Sequence, residues 1–295
     1  MDADNFFETD DVSTEIDTEV KRVSDLFRFM LKYKRQFQAS GIEFSDLREY
    51  MVTDDASRID WKNSASTQDL YVKEYEEEKD MDTFVILDVS DTMLFGTAEK
   101  IKAEYAAIIG AALAYASIDA GINVGFGMFG DDKMTITPNG GQAQYQKVLN
   151  EIAKFDNYGG TFNLEDALET TLGNIKENTA VFVISDFLEV EGDWKSKMQV
   201  SSMKFRHVLT IMTRDLRDYK LPESGNFRFE HPGTGEQLVA NTDKIREEYE
   251  KEAKKREGKI HDMVSGAGAG MIKVDTRDSF SAKFAQYYDE KGEQW

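Results

Sequence analysis

The stretch Phe84-Val85-Ile86-Leu87-Asp88-Val89-Ser90-Asp91-Thr92 decides the fold. Its first four residues are apolar throughout, the pattern of a central parallel strand covered on both faces. Polar side chains begin where that strand ends. In open α/β sheets the carboxyl ends of strands form the crevice in which ligands bind, so Asp88, Ser90 and Thr92 fall where a functional loop is expected.

Working outward, short β-branched or aromatic runs alternate with longer helical patterns. The alternation predicts a three-layer α/β fold: a mainly parallel central sheet, Rossmann-type in topology, with helices on both faces. Strands are expected at Phe84–Val89, Val124–Phe129, Met134–Thr137, Ala180–Ser185, Val208–Thr213 and Met271–Val274, with a hairpin around Pro232–Gly235. Helices are expected near Ala98–Ala120, Gln142–Phe155, Leu164–Lys176, Trp194–Phe205, Asp243–Met263 and Ser279–Tyr288. The run Gly266-Ala267-Gly268-Ala269-Gly270 reads as a flexible turn.

Two further loops share the character of the first. Gly159-Gly160-Thr161 precedes a helix, and Ser185-Asp186 directly follows an apolar strand. Met at one sheet edge, the three loops would bring three hydroxyls and two carboxylates together. Such hard oxygen donors suit Mg²⁺ or Mn²⁺ and do not suit zinc or copper. Each residue could instead simply cap a helix, as Ser, Thr and Asp often do. The order of all three, two of them directly after apolar strands, favours a metal site comprising Asp88, Ser90, Thr92, Thr161 and Asp186.

That pattern, Asp88-x-Ser90-x-Thr92 followed by Thr161 and Asp186, resembles the metal-ion-dependent adhesion site of von Willebrand factor A domains. One departure is Thr92, where the family usually has serine; its hydroxyl remains and a methyl is added. The resemblance implies that Ser90, Thr92 and Thr161 contact the cation directly, with the carboxylates acting partly through water. One position stays open for a partner's Asp or Glu. It implies recognition and not turnover, so the chain is expected not to be an enzyme. Further segments, Gly41 to Tyr50, Asp54-Asp55-x-x-Arg58-Ile59-Asp60-Trp61-x-x-Ser64-Ala65 and Val72 to Glu78, look like the signature of the prokaryotic domain-of-unknown-function 58 group. Members of that group are commonly associated with MoxR-type AAA+ ATPases, so the resemblance implies a motor partner that donates a carboxylate to the metal. Arg58, Asp60 and Trp61 read best as a buried ion pair and aromatic anchor.

Composition sets the boundaries. Apolar residues make up 40 % of 295, aromatics 12 %, and there are three prolines, the profile of a packed protein. Against 36 Lys and Arg stand 56 Asp and Glu, a formal charge of −20 that repels phosphate backbones and anionic headgroups. Neither nucleic acid nor membrane is expected as a partner. The absence of cysteine excludes disulfides, thiolate zinc sites and cysteine nucleophiles, and His207, His231 and His261 lack ligand spacing. Residues 1–19 carry eight acids and no base, the opposite of a signal peptide, and the longest apolar stretch, Tyr105 to Ile118, is too short to cross a bilayer. A cytoplasmic location is expected.

Three regions follow from this reading. Residues 1–19 form an acidic tail. Residues 20–80 hold a basic amphipathic helix, with Val20, Val23, Phe27, Met30, Leu31 and Phe37 at helical spacing, and then a polar stretch, 41–66, with little periodicity; this segment is expected to pack on the core. Residues 81–295 form the von Willebrand A-like domain with C-terminal additions.

Two signals are rejected. Gly125-Phe126-Gly127-Met128-Phe129-Gly130 matches a dinucleotide fingerprint literally but lies inside an expected strand with no helix after it, and Gly233-Thr234-Gly235-Glu236 lacks the Lys-Ser/Thr of a P-loop. The enzymatic alternative is a Mg²⁺-dependent phosphatase of the haloacid dehalogenase type, which uses Asp-x-Asp-x-Thr at the same strand end. Here the second acid is Ser90, and a serine hydroxyl cannot supply the proton at neutral pH.

Overall fold

The computed structural model describes Val20, residues 44–51, Ser64, residues 71–75 and residues 81–291. The chain divides into two compact units, Phe29–Asp80 on one hand and Met1–Arg28 with Met81–Trp295 on the other. In the smaller unit β1 (Phe44–Glu49) pairs antiparallel with β2 (Tyr71–Tyr75), with a bulge between Phe44 and Asp46. Neither strand was expected. The stretch Phe-Ser-Asp-Leu-Arg-Glu presents no alternating apolar face, and it is the backbone ladder that defines the pair. Most of the amphipathic segment Val20–Phe37, together with Arg58, Asp60 and Trp61, lies outside the described residues, although Val20 itself is helical and buried.

The larger unit follows the expected alternation. Its elements begin with β3 (Asp82–Asp88), α1 (Lys102–Asp119), β4 (Val124–Phe129), β5 (Lys133–Asn139) and α2 (Gln142–Ile152). They continue with α3 (Leu164–Asn174), β6 (Thr179–Ser185), α4 (Trp194–Lys204) and β7 (His207–Arg214). The hairpin β8 (Asn226–Glu230) and β9 (Gln237–Asn241) follows, then α5 (Thr242–Gly266), β10 (Gly270–Asp275) and α6 (Phe280–Lys291). Six strands form one sheet in the order β10-β7-β6-β3-β4-β5, all parallel except the edge strand β5.

This order places the site. From β3 the chain crosses to β4 on one side, and after β5 it returns to lay β6 on the other side of β3. The sheet's switch point therefore lies between the carboxyl ends of β3 and β6, where crossovers leave in opposite directions and a crevice opens. β3, β4 and β6 are buried along their whole length, as the unbroken apolar runs require. One sheet face buries Phe84, Ile86, Val181 and Val183 against Leu164 and Leu168 of α3, Met198 of α4, and Ile260 and Val264 of α5. On the other face α1 approaches so closely that a Cβ on Gly110 would lie 3.1 Å from the Phe126 ring. Gly125 and Gly127 are packing glycines too: side chains there would strike Phe84, Pro138 or Phe129.

Two local readings change. The helix expected from Ala98 starts at Lys102, because Asp215 captures the preceding bend through the Thr97 backbone N–H and hydroxyl, both at 2.7 Å. The glycine-alanine run is a fixed cap and not a flexible turn. The N–H groups of Ala267, Gly268 and Ala269 close onto Met263, Ser265 and Val264, and both alanines are buried. No described helix is long and apolar enough to cross a membrane.

Candidate metal centre

Asp88 is the last residue of β3 and is fully buried. Its Oδ1 accepts the Ser90 backbone N–H at 2.9 Å and the Ser90 hydroxyl at 2.6 Å. Its Oδ2 accepts the Ser185 hydroxyl, from the end of β6, at 2.6 Å. The loop then turns in a short 3-10 segment, Asp91–Leu94, which brings Thr92 Oγ1 to 3.2 Å from Ser90 Oγ and 3.3 Å from Asp186 Oδ1. Asp186, also fully buried, has its Oδ1 held by the Leu188 N–H at 2.8 Å. Four of the five expected residues thus form one connected cluster between β3 and β6.

Thr161 stands apart from it. Its N–H and hydroxyl both bond Asp131 Oδ1, at 2.9 and 3.1 Å, and among the described residues its hydroxyl makes no hydrogen bond to the other four. Its loop is nonetheless fastened to the first one. Gly160 N–H donates to Asp91 Oδ1 at 3.0 Å, and Asp91 N–H donates to Gly160 O at 2.9 Å. Gly160 has φ near 80° and lies so close to Asp131 that no side chain fits, which explains the glycine pair before Thr161. All three loops adjoin: Asp91 ties the first to the glycine loop, and the Ser185–Asp88 and Thr92–Asp186 bonds tie it to the end of β6.

Lys102 is the residue that sequence reasoning missed. It opens α1, is 1 % exposed, and donates from Nζ to Asp186 Oδ2 at 2.7 Å and Asp218 Oδ1 at 3.1 Å. Nothing in Lys100-Ile101-Lys102 distinguishes this ammonium from a surface lysine. Arg214, at the end of β7, is also buried and feels the charges of Asp186 and Asp218. These cations serve Asp186 and its neighbours, whereas among the described residues Asp88 has only hydroxyl and amide donors. Burial, reinforced by the negative charge of Asp186, pushes the Asp88 carboxyl up to about 7 against the opposing hydrogen bonds of Ser185 and Ser90.

A cation would answer that deficit, and the donors suit one. Because Ser90 donates its proton to Asp88, its lone pairs are left for another partner. In an octahedral shell with metal–oxygen distances of about 2.1 Å, neighbouring ligand oxygens lie roughly 3 Å apart. The separations of 3.2 and 3.3 Å linking Ser90, Thr92 and Asp186 are close to that edge length. Among the described residues no three His, Asp or Glu side chains gather into a metal-holding group, so any metal reading depends on the hydroxyls.

Comparison with known families adds the next step. A family described as a protein of unknown function, DUF58, matches residues 46–259, a span that includes all five expected site residues and Lys102. The chain belongs to this family. As a DUF58 member it resembles the uncharacterized proteins Rv1480 of Mycobacterium tuberculosis and Mb1516 of Mycobacterium bovis, each 25 % identical over 252 residues covering 84 % of this chain and 78 % of the relative. Among solved structures, the conserved hypothetical protein BatB from Bacteroides thetaiotaomicron superposes with a TM-score of 0.46 at 16 % identity, over 72 % of this chain and 100 % of that one. An aerotolerance-related membrane protein from Bacteroides fragilis gives 0.45 at 18 %, over 71 % and 99 %.

Proposed function

We propose that this DUF58 chain is a metal-dependent protein-interaction module and not an enzyme. Mg²⁺ or Mn²⁺ is held at the switch point by Ser90, Thr92 and Thr161, with Asp88 and Asp186 as supporting carboxylates. The partner is a protein, a MoxR-type AAA+ ATPase, which contributes a carboxylate to the metal. The observation that carries the reading is the pairing of the Ser90 and Thr92 hydroxyls at 3.2 Å, with Ser90 anchored on buried Asp88 and Thr92 beside buried Asp186.

The donor chemistry explains why such a site recruits. Neutral hydroxyls leave much of a cation's charge uncompensated, and Asp186 is already neutralised by Lys102. An incoming carboxylate then finds a net positive centre, and the cation bridges two proteins. Thr161 enters this set by exchanging its bond to Asp131, an adjustment confined to an exposed side chain. A phosphatase at the same crevice fits less well. Both Asp88 oxygens are engaged by serine hydroxyls and the carboxyl is sealed from solvent, so it has no exposed lone pair to attack a phosphoester.

The test is Mn²⁺ titration of the full chain beside Asp88→Ala and Thr161→Ala, followed by pull-down of the ATPase with and without chelator. At a free Mn²⁺ concentration a hundredfold above Kd the wild type should gain about 2.7 kcal/mol of stability, and both variants should gain none while staying folded. Equal responses in all three proteins would remove the metal from this reading. Capture that ignores the chelator would remove its role in binding.

A further inference from the structure

A hairpin far from the candidate metal centre in sequence returns to two of its loops. Between β7 and α5 the chain runs out and back as the β8–β9 hairpin. Gly233, in its turn, lies against Asp91: a Cβ there would sit 2.6 Å from Asp91 Oδ2. Its backbone is not left-handed, so the glycine answers to space and not to torsion. Two residues earlier, His231 Nε2 lies 3.0 and 3.2 Å from the two carboxylate oxygens of Glu189. The other ring nitrogen, Nδ1, accepts the N–H groups of Gly233 and Thr234 at 3.2 and 3.1 Å. Backbone N–H groups only donate, so Nδ1 is unprotonated and Nε2 donates to Glu189.

The two anchor points matter because of where they fall. Asp91 sits between Ser90 and Thr92, and Glu189 follows Asp186 by three residues. Phe187 and Glu189 have φ of 54° and 52°, a conformation that side-chain-bearing residues hold only with outside support. Phe187 has that support from burial and from the Trp194 ring, 5.9 Å away between centroids. Glu189 is exposed, and its support is His231.

We propose that the β8–β9 hairpin is a clamp on the metal rim, with Gly233 and His231 as positioning residues that fix the Asp91 and Asp186 loops relative to one another. Its use in metal binding rests on the reading above; its contacts do not. The experiment is amide hydrogen exchange over residues 91–94 and 186–190 in the metal-free full chain, with Mn²⁺ titration in parallel, for wild type, Gly233→Ala, His231→Ala and Glu189→Gln. Gly233→Ala and His231→Ala should each speed exchange in both loops about tenfold while β10 amides keep their protection. The same two variants should weaken Mn²⁺ binding by about tenfold, because the loops that carry Ser90, Thr92 and Asp186 are then no longer held in place. Glu189→Gln keeps an oxygen acceptor for Nε2 and should stay close to wild type. Unchanged exchange in the two loops, or faster exchange spread equally to β10, overturns the clamp. A wild type that binds no Mn²⁺ sinks the metal reading, and the exchange data still decide the clamp.

Discussion

Two strands of the same sheet end in a buried aspartate on the same rim, and their surroundings are opposite. Asp275 closes β10 and is met by a cation: Arg277 Nε bonds Oδ1 at 2.6 Å and Nη2 bonds Oδ2 at 3.0 Å, with the Tyr219 hydroxyl at 2.8 Å. Burial alone would raise its carboxyl, but these bonds outweigh it and hold Asp275 below the usual range. Asp88 closes β3 and is met by serines, and its carboxyl is displaced the other way. Neutral donors can orient a carboxylate but cannot cancel its charge. The β10 end is neutralised by a cation of its own chain, whereas at the β3 end Asp88 is met by neutral donors, and on the function proposed above a bound metal ion completes it.

The strongest way to break this contrast is to remove the ammonium that bonds Asp186 directly. Lys102→Met leaves Asp186 and Asp218 as buried carboxylates without their ammonium, at a cost of about 3–5 kcal/mol in urea unfolding. Added Mn²⁺ should return part of that loss, because a bound cation supplies the missing charge. A Lys102→Met protein as stable as wild type would show that the ammonium is not the site's internal counter-charge. Next in size is Ser185→Ala, which strips from Asp88 Oδ2 the one hydrogen bond it accepts among the described residues and should destabilise the fold by about 1–3 kcal/mol. Tyr219→Phe removes the matching neutral donor from Asp275, where Arg277 remains, so it should cost only about 0.5–1.5 kcal/mol. If the two hydroxyl deletions cost the same, the rim's asymmetry has no energetic meaning.

What could be read from the string, and what could not, follows the same physics. The unbroken apolar runs Phe84–Leu87 and Ala180–Ile184 announce central strands because burial on both faces leaves a one-dimensional mark, and Asp88, Ser90, Thr92 and Asp186 were legible as the residues that end them. Thr161 was legible as a motif member, but its bond to Asp131 across the β4–β5 turn was not, since Gly130-Asp131-Asp132 reads only as a turn. Lys102 was hidden because its buried ion pairs join positions 84 and 116 residues apart in the chain. The hairpin around Pro232–Gly235 was visible as a turn. Its return to Asp91 and Glu189 was not, because close approach by a glycine leaves no periodic trace.

The smallest expected effect is the pH signature of the finished end. Asp275 is held below its unfolded value, near 3.9, so its contribution is fully present above that pH and is lost as pH falls through the folded value. Arg277→Ala should therefore lower stability at pH 6 and converge on wild type only as pH falls through the folded value of Asp275, below which the carboxyl is protonated in both proteins. Because the Arg277 side chain is 48 % exposed, solvent screening limits the difference at pH 6 to about 0.5 kcal/mol. Urea midpoints measured across that range decide the matter. A gap between the two proteins that persists unchanged after Asp275 has been protonated in both would mean that Arg277 acts by packing and not by charge, and the β10 end would no longer serve as the neutralised counterpart of Asp88.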